Sequence, residues 1–210
     1  MSIRIIVVDD HMVVRRGLER MFEGSNVEIV GEAATGEQAV SLVSLISAQV
    51  VLLDVRMAGG DGLNCLSRLK LEMPNLAILL FSTYSNPTYI ARAVALGAAG
   101  YILKGVSKES LIDSITRVAE GETVWTRDEL RRVSGALATP RLNSDIEVPL
   151  TQRESEILKQ LTFGQTNKEI ASTLEISYET VKEHVQHILR KVGVSDRTQA
   201  AVWAVRKGIV

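Results

Sequence analysis

Val50-Val51-Leu52-Leu53-Asp54 is the stretch whose reading decides the fold: a short apolar run that ends in a carboxylate. A run apolar at every position suits a strand buried on both faces, as in a parallel sheet with helices on either side. Reading outward, the pattern recurs. Residues 3–8 are followed by Asp9 and Asp10, residues 76–81 by Ser82, and residues 101–103 by Lys104, while residues 27–30 supply another short strand. Stripes at helical spacing lie between these runs: Val13, Val14, Leu18 and Met21; Ala39, Leu42, Val43 and Ile46; Leu63, Leu66 and Leu69; Ile90 and Val94 behind Pro87; Leu111, Ile115 and Val118 behind a capping Ser107. Five β-α units in this order predict an α/β domain over residues 1–122, a doubly wound five-stranded parallel sheet.

Parallel strands bring their carboxyl ends to one rim, and open α/β sheets bind ligands there. Asp9, Asp10, Asp54, Ser82 and Lys104 all stand at such ends. Three carboxylates held close repel one another, and a hard divalent cation relieves the repulsion; oxygen ligands suit Mg²⁺. With a lysine and a hydroxyl beside it, Asp54 is placed to act as a nucleophile toward a phosphoryl group. Each of these residues alone reads as a turn, a cap or a solvated charge. Their arrival at separate strand ends of one sheet carries the functional reading.

The tail has no strand pattern. Thr151 and Glu154 form a capping box ahead of Ile157, Leu158 and Leu161, and Gly164 can end that helix. Asn167 opens a second helix with Ile170, Ala171 and Leu174. Ser177 opens a third with Val181, Val185, Ile188 and Leu189, and Asp196 a fourth with Ala200, Trp203 and Ala204. Residues 167–174, a short turn and residues 177–191 read as a helix-turn-helix. Its second helix turns Thr180, Lys182, Glu183, Gln186, His187 and Arg190 outward, a mixture suited to phosphates and base edges. A solvated helix face is the alternative reading of the same residues. Between the sheet and this small all-α four-helix domain (residues 150–210), residues 123–149 read as a linker. Within it 126–137 is a helical connector and 139–149 a polar stretch with two prolines.

Composition bounds these readings. The chain has 210 residues, 46% apolar and 23% charged, with a net charge of −1, as expected of a folded protein. Residues 150–210 hold nine Lys/Arg against seven Asp/Glu, an excess that permits nucleic-acid binding without demanding it. Cys65, the one cysteine, cannot form an intramolecular disulfide. The N-terminal apolar run is broken by two carboxylates, which excludes a signal peptide, and no run approaches the ~20 apolar residues of a membrane span. A cytoplasmic location is the expectation. No glycine-rich nucleotide-binding motif occurs.

Residues 1–120 resemble response-regulator receiver domains through VVDDH (7–11), VVLLDVRM (50–57), LLFST (79–83) and GYILK (100–104). The resemblance implies that Asp54 is phosphorylated by a partner histidine kinase. It implies that Asp9, Asp10 and the backbone carbonyl of Arg56 hold Mg²⁺ beside it, that Ser82 is a switch hydroxyl with Tyr101 as the aromatic moving with it, and that Lys104 contacts the phosphoryl group. Ala58 stands where that family usually has proline. Residues 150–210 resemble LuxR-type domains through LTQRESEIL (150–158), NKEIA (167–171), ETVKEHVQHILRKVGV (179–194) and DRTQAAVWA (196–204). This implies that Lys182, Glu183 and Gln186 face the bases of double-stranded DNA, with Thr180 and Lys191 nearer phosphates. The helix bearing Trp203 resembles a dimer-forming helix, a role compatible with simple core packing. Together these features give the NarL/FixJ arrangement: a phosphorylation-controlled transcription regulator, not an enzyme, expected to form a homodimer on phosphorylation or on DNA. Two rivals stand beside it. A haloacid-dehalogenase-like phosphatase also uses a strand-end Asp with Mg²⁺, but Asp9 and Asp10 are adjacent and the acceptor lies on a later strand. A phosphorylation-independent DNA-binding protein is favoured by Ala58 alone.

Overall fold

The computed structural model describes residues 2–57, 60–137 and 150–209; Ala58 and the 139–149 stretch lie outside them. The chain runs β1 (Ile3–Val8), α1 (Met12–Phe22), β2 (Val27–Ala33), α2 (Gly36–Leu45), β3 (Val50–Asp54), β4 (Arg56–Met57), β5 (Gly60–Asp61), α3 (Gly62–Glu72), β6 (Ala77–Ser82), α4 (Pro87–Ala95), β7 (Gly100–Leu103), α5 (Lys108–Ala119), α6 (Arg127–Leu137), α7 (Gln152–Thr162), α8 (Asn167–Thr173), α9 (Tyr178–Val192) and α10 (Arg197–Arg206). By contacts it divides into two units. Residues up to Ser85 with Leu96–Thr126 form the first, and Asn86–Ala95 with Arg127–Val210 the second.

In the first unit the sheet order is β2-β1-β3-β6-β7, every pairing parallel. Val50, Val51, Leu52 and Leu53 are all buried, as a strand covered on both faces requires. Alternation along β1 sorts the two faces. Ile3, Ile5 and Val7 pack with Leu18 and Phe22 of α1 and Leu111, Ile115 and Val118 of α5. Ile6 points the other way, toward α2. There, a Cβ added at Gly31 would meet Leu42 at 2.8 Å and Ile6 at 3.4 Å, so glycine admits the helix.

The second strand extends to Ala33 rather than residue 30, because a register shift between Ile5 and Ile6 lets β1 pair further along it. The short antiparallel β4–β5 ladder is too brief for periodicity to reveal. Beyond α5 the chain returns to the sheet: Val124 N–H donates to Ala99 O at 2.8 Å, and its side chain fills the space a Cβ at Gly100 would need.

The second unit is helical. Ile157, Leu158 and Leu161 of α7, Ile170 of α8, Val181, Ile188 and Val192 of α9, and Ala200 and Ala204 of α10 form its core. Thr151–Glu154 is the capping box read from sequence; Thr166–Glu169 is a second one, so α8 opens at Asn167 as read from sequence and is capped by the residue before it. Ser177 and Asp196 cap α9 and α10 as expected. α9 closes on Gly193 in the left-handed conformation, φ 70°, where glycine carries no Cβ penalty. Glu175, in the α8–α9 turn, also has positive φ, 53°, a strain on the order of 1 kcal/mol for a residue with a side chain. α4 belongs to this unit by packing: it lies on α10, α6 and α7, with Thr88 through Ala93 buried. Among the described residues no helix is long and apolar enough to cross a membrane.

Candidate metal centre and nucleic-acid interface

Strand order reverses at β1, whose neighbours are β2 on one side and β3 on the other. Such a reversal opens a crevice at the strand ends. Asp54 closes β3 there, Asp9 and Asp10 follow β1, Ser82 closes β6, and Lys104 follows β7. The sequence-predicted acidic set therefore meets. Asp9 and Asp54 are almost fully buried, at 1% and 4% exposure. Lys104 Nζ lies 2.6 Å from Asp9 Oδ2 and 3.1 Å from Asp54 Oδ1. Its own backbone N–H donates to Ser82 O at 2.7 Å, so the β6–β7 ladder fixes where the lysine emerges. Its ammonium also lies 5.8 Å from the centre of the Phe81 ring.

The electrostatics follow from this packing. Burial pushes the Asp54 carboxyl above its ordinary range; Lys104 pulls it back, and the neighbouring Asp9 and Asp10 add to the push. Burial opposes the Lys104 charge, yet its hydrogen bonds and ion pairs with Asp9 and Asp54 together hold its pKa above the usual lysine value. Asp9, Asp10, His11 and Asp54 each offer an atom within 4.8 Å of the others. The donor set is rich in carboxylate oxygen and carries more negative charge than Lys104 offsets, which fits a hard divalent cation. His11 Nδ1 sits 2.6 Å from Asp10 Oδ1, while the His11 backbone N–H donates to Asp9 Oδ1 at 2.9 Å and fixes that carboxylate.

Three further residues shape the site, and sequence reading gave none of them a role. Gly62 is required for packing: a Cβ there would lie 1.9 Å from the Asp54 carbonyl oxygen. In the sequence, only the run of glycines at 59, 60 and 62 points to it. Tyr84 joins the two switch candidates. The buried Tyr101 donates its hydroxyl to Tyr84 O at 2.6 Å, and Ser82 Oγ accepts from Tyr84 N–H at 3.2 Å. Arg56, two residues past Asp54, lays its guanidinium 5.4 Å from the Tyr84 ring centre. His11 is the third, through its contacts with both aspartates.

In the helical unit, Ile170, Val181 and Ile188 are fully buried, with Leu174, Ile176 and Val185 packed against them, so α8 and α9 are held as the sequence predicts. Arg153 of α7 donates to Leu174 O at 2.8 Å and fastens the end of α8. Lys182, Glu183, Gln186, His187 and Arg190 are exposed along α9. Thr180 is half-buried near the N-cap, its hydroxyl 2.8 Å from Ser177 Oγ. Lys182 lies 3.7 Å from Glu179, an exposed pair of little strength. Lys191 stands apart: its Nζ is 2.6 Å from Oε2 of the buried Glu154, which also accepts from Thr151 N–H at 2.7 Å. Burial alone would raise the Glu154 pKa, but these hydrogen bonds outweigh it and hold the carboxyl below its usual range. Lys191 thus ties α9 to α7.

Comparison with known proteins agrees with both halves. Residues 5–116 match the response regulator receiver domain family, and residues 148–204 match the bacterial regulatory proteins of the luxR family. Over the full length of both chains, the sequence is 32% identical to the response regulator protein VraR of Staphylococcus aureus. The crystal structure of the response regulator ChrA of a heme-sensing two-component system is 32% identical, with a TM-score of 0.52, covering 100% of this chain and 99% of that one. The two-component response regulator RcsB in complex with DNA shares the fold at 23% identity and a TM-score of 0.60, covering 99% of each chain.

Proposed function

The chain belongs to the response-regulator family and joins a receiver domain to a LuxR-type DNA-binding domain, and we propose that Asp54 is the phosphoacceptor that controls it. As a family member it is a DNA-binding transcription regulator of the two-component type. The observation that carries the proposal is the buried Asp54 carboxylate paired with Lys104 at 3.1 Å inside a cluster of further carboxylates. In this reading residues 1–122 form the receiver, 123–149 the connector and 150–210 the DNA-binding domain. The partners are a sensor histidine kinase, double-stranded DNA and a second copy of the chain; the location is cytoplasmic, and the chain turns over no substrate of its own.

An Asp54 oxygen attacks the phosphorus of a phosphohistidine on the kinase, the P–N bond breaks, and the leaving imidazole takes up a proton. Asp9, Asp10, Asp54 and the Arg56 carbonyl would hold Mg²⁺, and a cation there would supply positive charge against the phosphoryl oxygens. Lys104 is already in place to pair with one of them as its contact to Asp54 loosens. Ser82 can supply a hydrogen bond only by turning from the Tyr84 backbone, whose carbonyl also holds Tyr101. A signal at Asp54 is thereby coupled to the 82–84 segment and to the buried Tyr101.

On the DNA side, Lys182, Glu183 and Gln186 are read as base-facing residues of α9, with Thr180, His187 and Arg190 flanking them toward phosphates. The test of the switch is incubation with acetyl phosphate and Mg²⁺, read by intact mass on wild type and Asp54→Asn. One hydroxylamine-labile phosphoryl group on the wild type and none on the variant is the expected result. No labelling of either protein would favour a phosphorylation-independent regulator instead.

A further inference from the structure

Every polar group of Asp9 is held. Its carboxylate meets Lys104 Nζ at 2.6 Å and accepts from the His11 backbone N–H at 2.9 Å, and its own N–H donates to Ala33 O at 3.1 Å. Its carbonyl is taken by α1: Arg15 Nη1 donates to Asp9 O at 2.6 Å. That carbonyl belongs to the peptide joining Asp9 to Asp10. A peptide is planar, so fixing its oxygen also fixes the direction in which Asp10 leaves. Arg15 is anchored in turn. Its Nε donates to Glu32 Oε2 of β2 at 2.9 Å, with 15% and 24% of the two side chains open to water. The rigid fork of a guanidinium lets one side chain hold two acceptors in set directions. The register shift in β1 brings Glu32 beside Val7 and Ala33 beside Val8, so one stretch of β2 holds both Arg15 and the Asp9 N–H. The next residue gives a contrast. Arg16 directs its hydrogen bonds to Glu19 at 2.7 Å and Glu32 at 3.4 Å, and 59% of its side chain is open to water.

We propose that Arg15 is a positioning residue of the acidic centre: anchored by Glu32, it fixes the Asp9–Asp10 peptide and so sets how tightly the adjacent carboxylates hold a divalent cation. The inference rests on the metal site proposed above. Arg15 supplies no ligand atom, since it touches the Asp9 carbonyl and not the carboxylates. Groups that orient metal ligands from behind are worth about 10–100-fold in metal affinity when removed. Charge alone predicts the opposite sign. A guanidinium near the site repels a metal cation, so taking it away would tighten binding by Coulomb's law. Loss of the aimed peptide weakens binding instead. A third role, a plain staple between α1 and β2, would change the stability of the chain and leave metal affinity alone. The three roles therefore separate by the sign of one measurement.

The test uses the full-length chain with Mn²⁺ as the probe, an ion that takes the same oxygen ligands as Mg²⁺. The paramagnetic resonance signal of free Mn²⁺ gives the dissociation constant for wild type, Arg15→Met, Arg16→Met and Glu32→Gln, and urea unfolding of each is followed alongside. Arg15→Met is expected to bind Mn²⁺ about tenfold more weakly. Glu32→Gln, which keeps Arg15 but loosens its anchor, should show a smaller loss in the same direction. Arg16→Met removes an equal charge and should bind no more weakly than wild type. Wild-type or tighter Mn²⁺ binding by Arg15→Met overturns the inference, and so does an equal loss in Arg16→Met. If Arg15→Met does not fold, Glu32→Gln decides: unchanged Mn²⁺ binding there overturns the inference. In Arg15→Met the Mg²⁺ concentration for half-maximal labelling of Asp54 by acetyl phosphate should rise by the same factor, with wild-type labelling once Mg²⁺ saturates. A wild type that binds Mn²⁺ but takes no phosphoryl group sinks the phosphorylation reading, while the Mn²⁺ constants still decide the role of Arg15. A wild type that binds no Mn²⁺ removes the metal site and this inference together.

Discussion

Lys191→Met is the substitution that best separates contact with DNA from construction of the domain. The resemblance to LuxR-type domains places this lysine near a phosphate, whereas the fold ties it to Glu154 at 2.6 Å. Breaking a fully buried pair costs about 3–5 kcal/mol, and an exposed pair is worth about 0–1 kcal/mol. Here Glu154 is 3% exposed and keeps its Thr151 N–H, while 37% of the Lys191 side chain remains open to water. The loss is therefore on the order of 1–2 kcal/mol, a factor of roughly 5–30 in a local opening equilibrium. Hydrogen–deuterium exchange of α7 and α9 peptides in the full chain measures it directly.

The pH dependence has a definite sign. Glu154 titrates below its ordinary 4.5 in the folded chain, so its contribution is full above that value and is lost as pH falls through the lowered one. In Lys191→Met this dependence should flatten. Unchanged exchange at α7 and α9, together with a fall of about 0.9 in the log–log salt slope of DNA binding, would make Lys191 a phosphate contact and refute the tie.

Other outcomes follow from the same geometry. Gly62→Ala places a methyl 1.9 Å from the Asp54 carbonyl oxygen, which is backbone and cannot step aside. It should cost at least ~1–3 kcal/mol in urea unfolding and slow Asp54 labelling as β3 shifts, whereas Gly17→Ala, with open space around it, should do neither. Arg190→Ala and Gln186→Ala should differ in kind: the first, a phosphate contact in this reading, lowers affinity for all sequences alike. The second should relax discrimination at one base pair by ~1–3 kcal/mol, read by competition with single-base variants of a selected site.

The acidic centre was legible because parallel strands deliver every strand end to one rim, so Asp9, Asp54, Ser82 and Lys104 could be grouped from separate runs. Tyr84 and Gly62 were not. Tyr84 acts through its backbone carbonyl, which no residue type announces, and Gly62 matters only because the β3–α3 turn folds it onto the Asp54 carbonyl eight residues earlier. The caps at Thr151, Ser177 and Asp196 could be read directly, since capping is local. Thr166 carried the same signal one residue before the helix start assigned at Asn167. Arg190 and Lys191 look alike as adjacent basic residues on a helix and both remain exposed, yet only Lys191 is paired with the buried Glu154.

By itself, then, the sequence determined the alternation of strand and helix, the parallel sheet, the acidic rim and the capped helix-turn-helix, all of which follow from periodicity and near-neighbour hydrogen bonding. Tertiary structure decided which surface each apolar stripe meets. The pattern of α4 requires that Ile90 be buried, and it is satisfied equally by a sheet or by helices. That α4 packs on α7, α10 and α6 was settled by side chains that periodicity cannot pair, Arg92 and Tyr89 on the carbonyls of Thr162 and Phe163. Burial is a property of one segment and can be read from it, whereas the choice of partner depends on matching two surfaces far apart in the chain.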